Sequence, residues 1–362
     1  MKRILSLDGG GIRGVFSLEI LLRMQEMLRV HTGSPHLVLA DHFDFFAGTS
    51  TGAIIATCLS WGMDVAEILN LYVDQGKKMF QHVPWSHPIK RIFYSSYDPE
   101  PLSVMLRQIF SEDDKGEIPA LLGTKRLKTL LLVVVRNHST GSAWPITNNP
   151  RARYNDRSLP DCNLDIPLWR VVRASTAAPV YFAPEEITLG GREFVFVDGA
   201  ITPYNNPSLI AGLTAILPSY NIAWEPGPDK VRLISIGTIR IASVSFQKKA
   251  SQMWLGYHLP RIPGALIQGI ALEQDYVCRC LGECLFGEQV DSEIGDLVGL
   301  PVAGPKWFSY VRYNQSFLGK QAEEILAKAS DLSKLDAIEA IPLLQNMGRA
   351  YAAEHMKLEH LI

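Results

Sequence analysis

Ser50 lies at the centre of Gly48-Thr49-Ser50-Thr51-Gly52, between two apolar stretches of different character. Upstream, His42-Phe43-Asp44-Phe45-Phe46-Ala47 reads as a short buried strand; downstream, Ala53-Ile54-Ile55-Ala56-Thr57-Cys58-Leu59 reads as a buried helix. A serine at a sharp strand-to-helix turn is held in a strained, exposed backbone conformation, which the flanking glycines permit. The helix that follows points its N-terminus toward the hydroxyl and favours negative charge there. Attack on an ester by an alkoxide needs that geometry. An ordinary glycine-rich turn has the same five residues, so the reading depends on what else the chain carries.

A second element stands at the N-terminus. Residues 2–7 read as a strand, Asp8-Gly9-Gly10-Gly11-Ile12-Arg13-Gly14 as a glycine loop, and residues 15–28 as a helix with Leu18, Leu21, Leu22, Met24 and Leu28 at helical spacing. Consecutive glycines leave backbone N–H groups uncovered, ready to converge on an anion beside a helix N-terminus. Gly9-x-Gly11-x-x-Gly14 formally fits a dinucleotide fingerprint, but that motif expects an acid about 20 residues on. The chain there reads Val30-His31-Thr32-Gly33-Ser34-Pro35-His36, with no acid and no strand pattern. A phosphate loop would need Gly-Lys-Ser/Thr after the glycines, and none follows. The remaining use is an oxyanion hole for a tetrahedral acyl intermediate, with Arg13 adding positive charge. A tight turn with Arg13 in a surface ion pair is the structural alternative.

A nucleophilic serine also needs a base. Phe194-Val195-Phe196-Val197 reads as a short strand ended by Asp198-Gly199-Ala200, which sets a carboxylate at a strand end on a turn. Asp-Gly turns are common in their own right. Just upstream, Arg173-Ala174-Ser175-Thr176-Ala177-Ala178-Pro179 reads as a closely packed helix that Pro179 ends.

Taken together, these four motifs, in this order and spacing, resemble the patatin-like phospholipase family over roughly residues 1–240. The resemblance implies a Ser–Asp dyad with Ser50 as nucleophile and Asp198 as general base. It also implies an oxyanion hole from the Gly9, Gly10 and Gly11 amides with Arg13, and no histidine in the mechanism. Gly14, Gly48, Gly52, Gly199 and Ala200 complete the family's motifs. The implied activity is lipid acyl hydrolysis of the phospholipase A type, through an acyl-enzyme and without cofactor or metal. Residues 279–297, which contain Arg279-Cys280-Leu281-Gly282-Glu283-Cys284, are similar to bacterial patatin-like phospholipases activated by cyclic nucleotides in anti-phage defence. That likeness implies a cyclic dinucleotide activator and a homo-oligomer.

The elements that must position these residues follow from length and pattern. The chain has 362 residues with 47% hydrophobic content, enough for a large core, and no linker or repeat divides it. The aliphatic run 130–135 and the stretch 231–236 read as central buried strands. Alternation with helices predicts an α/β fold of three layers, a mainly parallel sheet covered on both faces. Residues 1–240 form the catalytic part in this reading, and residues 241–362 a helical lid or regulatory extension packed on the same domain. In that extension residues 320–329 read as one helix, Ser333 as the cap of another, and Pro342 as a break or a new start.

Composition bounds the partners. A net charge of −2 argues against nucleic-acid duplex binding. Five cysteines lack zinc spacing; Cys278, Cys280 and Cys284 read as reduced thiols on a helix. The N-terminal apolar stretch is too short for a signal peptide, and the longest aliphatic run is too short to span a bilayer. The expectation is a cytoplasmic enzyme that meets the inner membrane peripherally. Segments 76–97 and 243–257 mix aromatics and cations, which suits a bilayer surface or a lid, and equally a core with a solvated face. One rival reading is an α/β-hydrolase triad of Ser50, Asp198 and His258, although the serine comes early for that fold. The other is a nucleotide-sensing module whose glycine loop binds phosphate.

Overall fold

The computed structural model describes residues 1–79, 97–241, 249–259, 261–300, 304–329, 332 and 336–362. Its centre is a nine-stranded sheet of β1 (Lys2–Leu7), β2 (Phe45–Thr49), β3 (Leu130–Asn137), β4 (Ser142–Thr147), β5 (Glu185–Leu189), β6 (Arg192–Asp198), β7 (Val231–Ile236), β9 (Glu283–Phe286) and β10 (Ser309–Tyr313). The order is β5-β6-β3-β2-β1-β7-β10-β9, with β4 also paired to β3. From β3 through β9 the pairing is parallel; β4 and β6 run antiparallel to β3, and β5 antiparallel to β6. A separate parallel pair joins β8 (Arg240–Ile241) to β11 (Ser316–Phe317).

The helices are α1 (Gly14–Thr32), α2 (Thr51–Trp61), α3 (Val65–Met79), α4 (Glu100–Ile109), α5 (Leu168–Ser175), α6 (Ser208–Ile216), α7 (Ile262–Leu281), α8 (Lys320–Lys328) and α9 (Ile341–His355). Strand residues alternate strictly between two cores. Leu5, Leu7, Phe46, Val133 and Ile234 face the core built with α1 to α5 and α9. Ile4, Phe45, Ala47, Leu132 and Leu233 face the core built with α6 and α7. Both faces are covered, so the central strands are rich in apolar residues on both sides. The expected three-layer α/β fold is present.

The C-terminal part is more than a helical extension. Helices α8 and α9 are there, and Pro342 stands in the first turn of α9, starting that helix. But β9 and β10 extend the central sheet past β7, so residue 240 marks no break in it. Cys284 accordingly sits on β9 instead of a helix, while Cys278 and Cys280 are on α7. Helix α9 lies close against α1: a Cβ on Gly348 would come within 2.8 Å of the Phe16 carbonyl oxygen. Glu19 on α1 pairs with Arg349 on α9 at 3.2 Å. Ser333 and residues 330–331, read as a cap and a helix break, lie outside the described residues.

Strand β10 also supplies the partner of the first motif residue. Arg312 meets Asp8 in a two-pronged ion pair, Nη1–Oδ1 2.9 Å and Nη2–Oδ2 2.5 Å, and Nη1 also donates to Ser235 Oγ at 2.6 Å. Both side chains are buried. Burial opposes the Arg312 charge, but the Asp8 carboxylate outweighs it and pushes the guanidinium up. Removing one partner of such a pair strands a charge in the interior, at about 3–5 kcal/mol. Arg312→Met should therefore lower the urea-unfolding free energy by about that much, and the double variant Asp8→Asn/Arg312→Met should recover part of it. A loss below about 1 kcal/mol, the scale of an exposed pair, would contradict this placement.

Candidate active site

Strand β2 runs up to Thr49 and α2 starts at Thr51, so Ser50 makes the whole turn alone. Its φ of 54° and ψ of −123° lie where a side chain is strained, at about 1–3 kcal/mol. The neighbours show why the turn must be glycine on both sides. A Cβ on Gly48 would stand 2.1 Å from the Gly52 carbonyl oxygen, and one on Gly52 would stand 2.2 Å from the Leu7 carbonyl oxygen. Strand, helix and β1 therefore touch backbone to backbone around Ser50. The strained peptide is braced by Ser175 on α5: its hydroxyl accepts from Ser50 N–H at 2.9 Å and donates to the Val134 carbonyl at 2.6 Å.

The same stretch of β3 places the carboxylate. Thr49 pairs with Val134 from one side, and Asp198, the last residue of β6, pairs with Val135 from the other. Two strands of opposite direction thus end facing each other across β3. Gly199 lets β6 end there, since a Cβ would stand 2.3 Å from the Val134 carbonyl oxygen. Ser50 Oγ donates to Asp198 Oδ2 at 2.7 Å, and the Ala200 amide donates to Oδ1 at 2.7 Å. Asp198 is 1% exposed. Burial pushes its carboxyl up to about 7, against the pull of the Ala200 N–H, the Ser50 hydroxyl and the Arg173 charge. Arg173 is itself buried on α5, donates from Nη2 to the Ala183 carbonyl at 3.0 Å and lies over the Phe182 ring.

The glycine loop is fixed from three sides. The Asp8 amide donates to the Ile236 carbonyl at 3.0 Å, Thr238 Oγ1 donates to the Gly9 carbonyl at 2.9 Å, and the Gly9 amide donates to the Asn205 carbonyl at 3.0 Å. The last bond corrects the expectation that Gly9 offers its N–H to a substrate oxygen: that donor is already used. Arg13 also differs from expectation, because its Nε donates to the Gly10 carbonyl at 3.2 Å. It clamps the loop, and its charge lies beside it. Among the described residues no partner is seen for the Gly10 and Gly11 amides. Gly11, with φ of 59°, takes the left-handed turn into the 3₁₀ turn Gly11–Arg13. Gly14 lies against Thr51, where a Cβ would come 2.7 Å from Oγ1.

Ser50 and Gly11 open onto one narrow cavity of about 40 Å³, whose walls include Ile54, Leu102, Tyr181 and Phe182. Its surface is almost wholly apolar, so it favours a hydrocarbon over a polar group. Thr51 on its wall is held by Tyr72, Oγ1 to hydroxyl 2.6 Å. His258 is exposed in the turn Leu255–His258, its ring edge-on to Tyr257. Among the described residues no histidine bonds to Ser50 or Asp198, so the triad with His258 is not assembled. Of the two segments read as membrane or lid elements, residues 80–96 and 242–248 lie outside the described residues.

Four residues that hold the site escaped the sequence reading. Ser175 stood within a motif but carried no assigned role. Thr238 followed a strand end. Asn205 gave no signal. Arg312 did leave one, a lone charge inside the apolar run Ser309-Tyr310-Val311-Arg312-Tyr313. Arg279, in the segment likened to nucleotide-activated relatives, is fully engaged within the protein. It pairs with Asp275 at 2.7 Å and donates to the Glu288 and Asp296 carbonyls at 2.7 Å each.

A cGAMP-activated phospholipase of Vibrio cholerae is 29% identical over 247 residues, 66% of this chain and 64% of the relative. A cGAMP-activated phospholipase of Escherichia coli is 28% identical over 260 residues, 70% of this chain and 67% of the relative. Patatin-17 of Solanum cardiophyllum is 27% identical over 278 residues, 71% of this chain and 66% of the relative. The chain thus spans about two thirds of the length of these relatives. The sequence model of patatin-like phospholipases matches residues 5–211, across all four motifs, and the chain belongs to that family.

Proposed function

We propose that the protein is a lipid acyl hydrolase of the phospholipase A type, working through Ser50 and Asp198. The observation that carries this reading is the 2.7 Å hydrogen bond from Ser50 Oγ to Asp198 Oδ2, at a strained turn opening on an apolar cavity. Asp198 takes the Ser50 proton as Oγ attacks the ester carbonyl. The oxyanion that forms meets the Gly10 and Gly11 amides and the N-terminus of α2. Collapse breaks the ester bond, and protonated Asp198 gives its proton to the leaving alcohol. Water then loses a proton to Asp198 and adds to the acyl-enzyme; collapse breaks the bond to Ser50 Oγ, Asp198 returns its proton to that oxygen, and the fatty acid leaves. The apolar walls seat the acyl chain, so a membrane phospholipid met peripherally is the substrate this site suits.

Regulation by a cyclic dinucleotide, in anti-phage defence, is the finer part of the proposal, supported by the names of the two bacterial relatives. Arg279, spent on internal bonds, is not the hand that holds such a ligand. A ligand shifts an off state only as far as it binds the active state more tightly. The purified protein should therefore be weakly active alone, and a cyclic dinucleotide should raise both activity and melting temperature. High basal activity unchanged across a panel of cyclic nucleotides would overturn this regulation and leave the hydrolase reading standing.

Ser50→Ala should abolish ester hydrolysis while the protein still melts cooperatively. Asp198→Asn should be about as inactive, because residues that act as one unit are not additive, and His258→Ala should keep most activity. A soluble ester assay decides among them; near-parental turnover in folded Ser50→Ala would sink the assignment.

The Asp198 carboxyl also predicts two pH effects of opposite consequence. A base that titrates at about 7 makes kcat/KM fall as pH drops below that value. Its folded value lies above the unfolded 3.8, so the folded state holds the extra proton between the two. The stability that proton confers is complete below the unfolded value and is lost as pH rises through about 7. Asp198→Asn should therefore melt higher than the parent at pH above 8, with the gain fading toward pH 5. An equal gain at both pH values would contradict a buried, titrating carboxylate.

Gly10→Ala would set a methyl 2.2 Å from Thr238 Oγ1, so the loop must move and take its amides with it. Loss of one oxyanion donor costs ~10²–10³ in turnover. Steady-state kinetics should show that loss in kcat with KM little changed; an effect confined to KM would move the loop's role to substrate binding.

A further inference from the structure

Helix α7 divides into two halves of opposite character. Its C-terminal half is clamped in the body of the protein: Gln274, Asp275, Cys278 and Arg279 are buried, and Asp275 accepts from Arg279 and from the Tyr310 hydroxyl. Its N-terminal half carries no charged residue from position 262 to position 272, yet it is open to solvent nearly all round. A Cβ placed on Gly264 or on Gly269 would meet nothing within 4 Å. Leading into it, Trp254, Leu255 and Leu259 are 64–74% exposed, and Leu266 within it is 59% exposed. Residues 262–266, 268 and 269 are exposed and 267 and 270–272 half-buried; an apolar helix end exposed to this extent is not a stable surface in water, and contiguous exposed patches of this kind mark an interaction site.

We infer that this exposed element, Trp254 to Leu259 together with the N-terminal half of α7, is the segment that enters the lipid surface. The inference deepens the reading of the protein as a phospholipid hydrolase and rests on it for the identity of the surface. Three observations choose lipid over a protein partner. The eleven uncharged residues span about 16 Å, enough to lie along the headgroup–acyl boundary of one leaflet, and among the described residues no helix is long and apolar enough to cross a membrane. The free end of the element carries what sits at headgroup level: Trp254, and Arg261 stacked 4.1 Å over the Tyr257 ring, with Lys249 exposed. Cations there meet anionic headgroups. The element also stands beside the chemistry. Helix α7 packs on the turn Gly199–Ile201, which directly follows Asp198, and Asn206 holds the Ala271 carbonyl at 3.3 Å where the free half begins.

The test measures sedimentation with vesicles containing phosphatidylglycerol, using the Ser50→Ala chain so that binding is read without hydrolysis. Adding Leu259→Glu and Leu266→Glu should weaken vesicle binding by about tenfold or more, because two buried leucines are lost and two like charges gained. Both positions are exposed, so melting temperature should hold. In a second reading, brominated acyl chains should quench the fluorescence of the bound protein, and Trp254→Phe should remove most of that quenching. Binding unchanged by the two glutamates would overturn the inference, as would no vesicle binding by the Ser50→Ala chain. A vesicle-free dimer that the glutamates dissolve would overturn it too, by assigning the face to a second copy of the chain. If the glutamates abolish vesicle binding while the parent leaves phospholipid intact both alone and with a panel of cyclic dinucleotides, the hydrolase reading fails and the surface stands.

Discussion

Everything at the site depends on one stretch of β3, Val134 and Val135. Thr49 and Asp198 pair with these neighbouring residues from opposite sides, so β2 and β6 end head to head and their next atoms meet. The Val134 carbonyl accepts the Ser175 hydroxyl that braces Ser50, and its closeness forces glycine at position 199. The 2.7 Å contact between Ser50 and Asp198 is therefore set by backbone register. A register fixed by two buried faces does not slip, because a one-residue shift would turn each core side chain to the wrong face. That rigidity can carry the strain of Ser50 and the cost of burying a carboxyl beside it.

The rest of the fold presses on the glycine loop. It is held by the ends of β7 and β10 and by the segment before α6, three elements that follow the loop by 190 residues or more. Arg312 binds Asp8 across 304 positions of sequence. The C-terminal third is thus part of the site's foundation, although it contributes no residue to the reacting atoms. Arg13 and the Gly9 amide, which sequence alone would aim at substrate, are used within the loop to shape it.

How far the sequence could be read follows from this layout. Strands β1 and β7 were legible to the residue because both faces of a parallel sheet demand an apolar run, and 231–236 and 2–7 supply one. Strand β2 was placed early, its start by three residues and its end by two. Gly48 and Thr49 look like turn residues, whereas they continue the ladder to Leu7 and Val134. Ser50 and Asp198 could be singled out because each stands at a turn with small neighbours that leaves a local trace, and because the four motifs together carried the family resemblance that implies their roles. What escaped was held at long range. Strand β10 is five residues with an arginine inside, and its charge makes sense only once Asp8 is seen beside it. Ser175 and Thr238 act through hydroxyls on distant carbonyls, which no local pattern reports.

The central claim is that Ser50 is the nucleophile and that Asp198 activates it by accepting its proton. A fluorophosphonate that mimics an acyl ester reports both at once, by the residue it labels and by the rate at which it does so across pH. Peptide mass spectrometry should find the label on Ser50, with a labelling rate that climbs with pH about a midpoint near 7, where the Asp198 carboxyl titrates. Label on any other residue, or a rate on Ser50 that does not change between pH 5 and 9, would contradict the account.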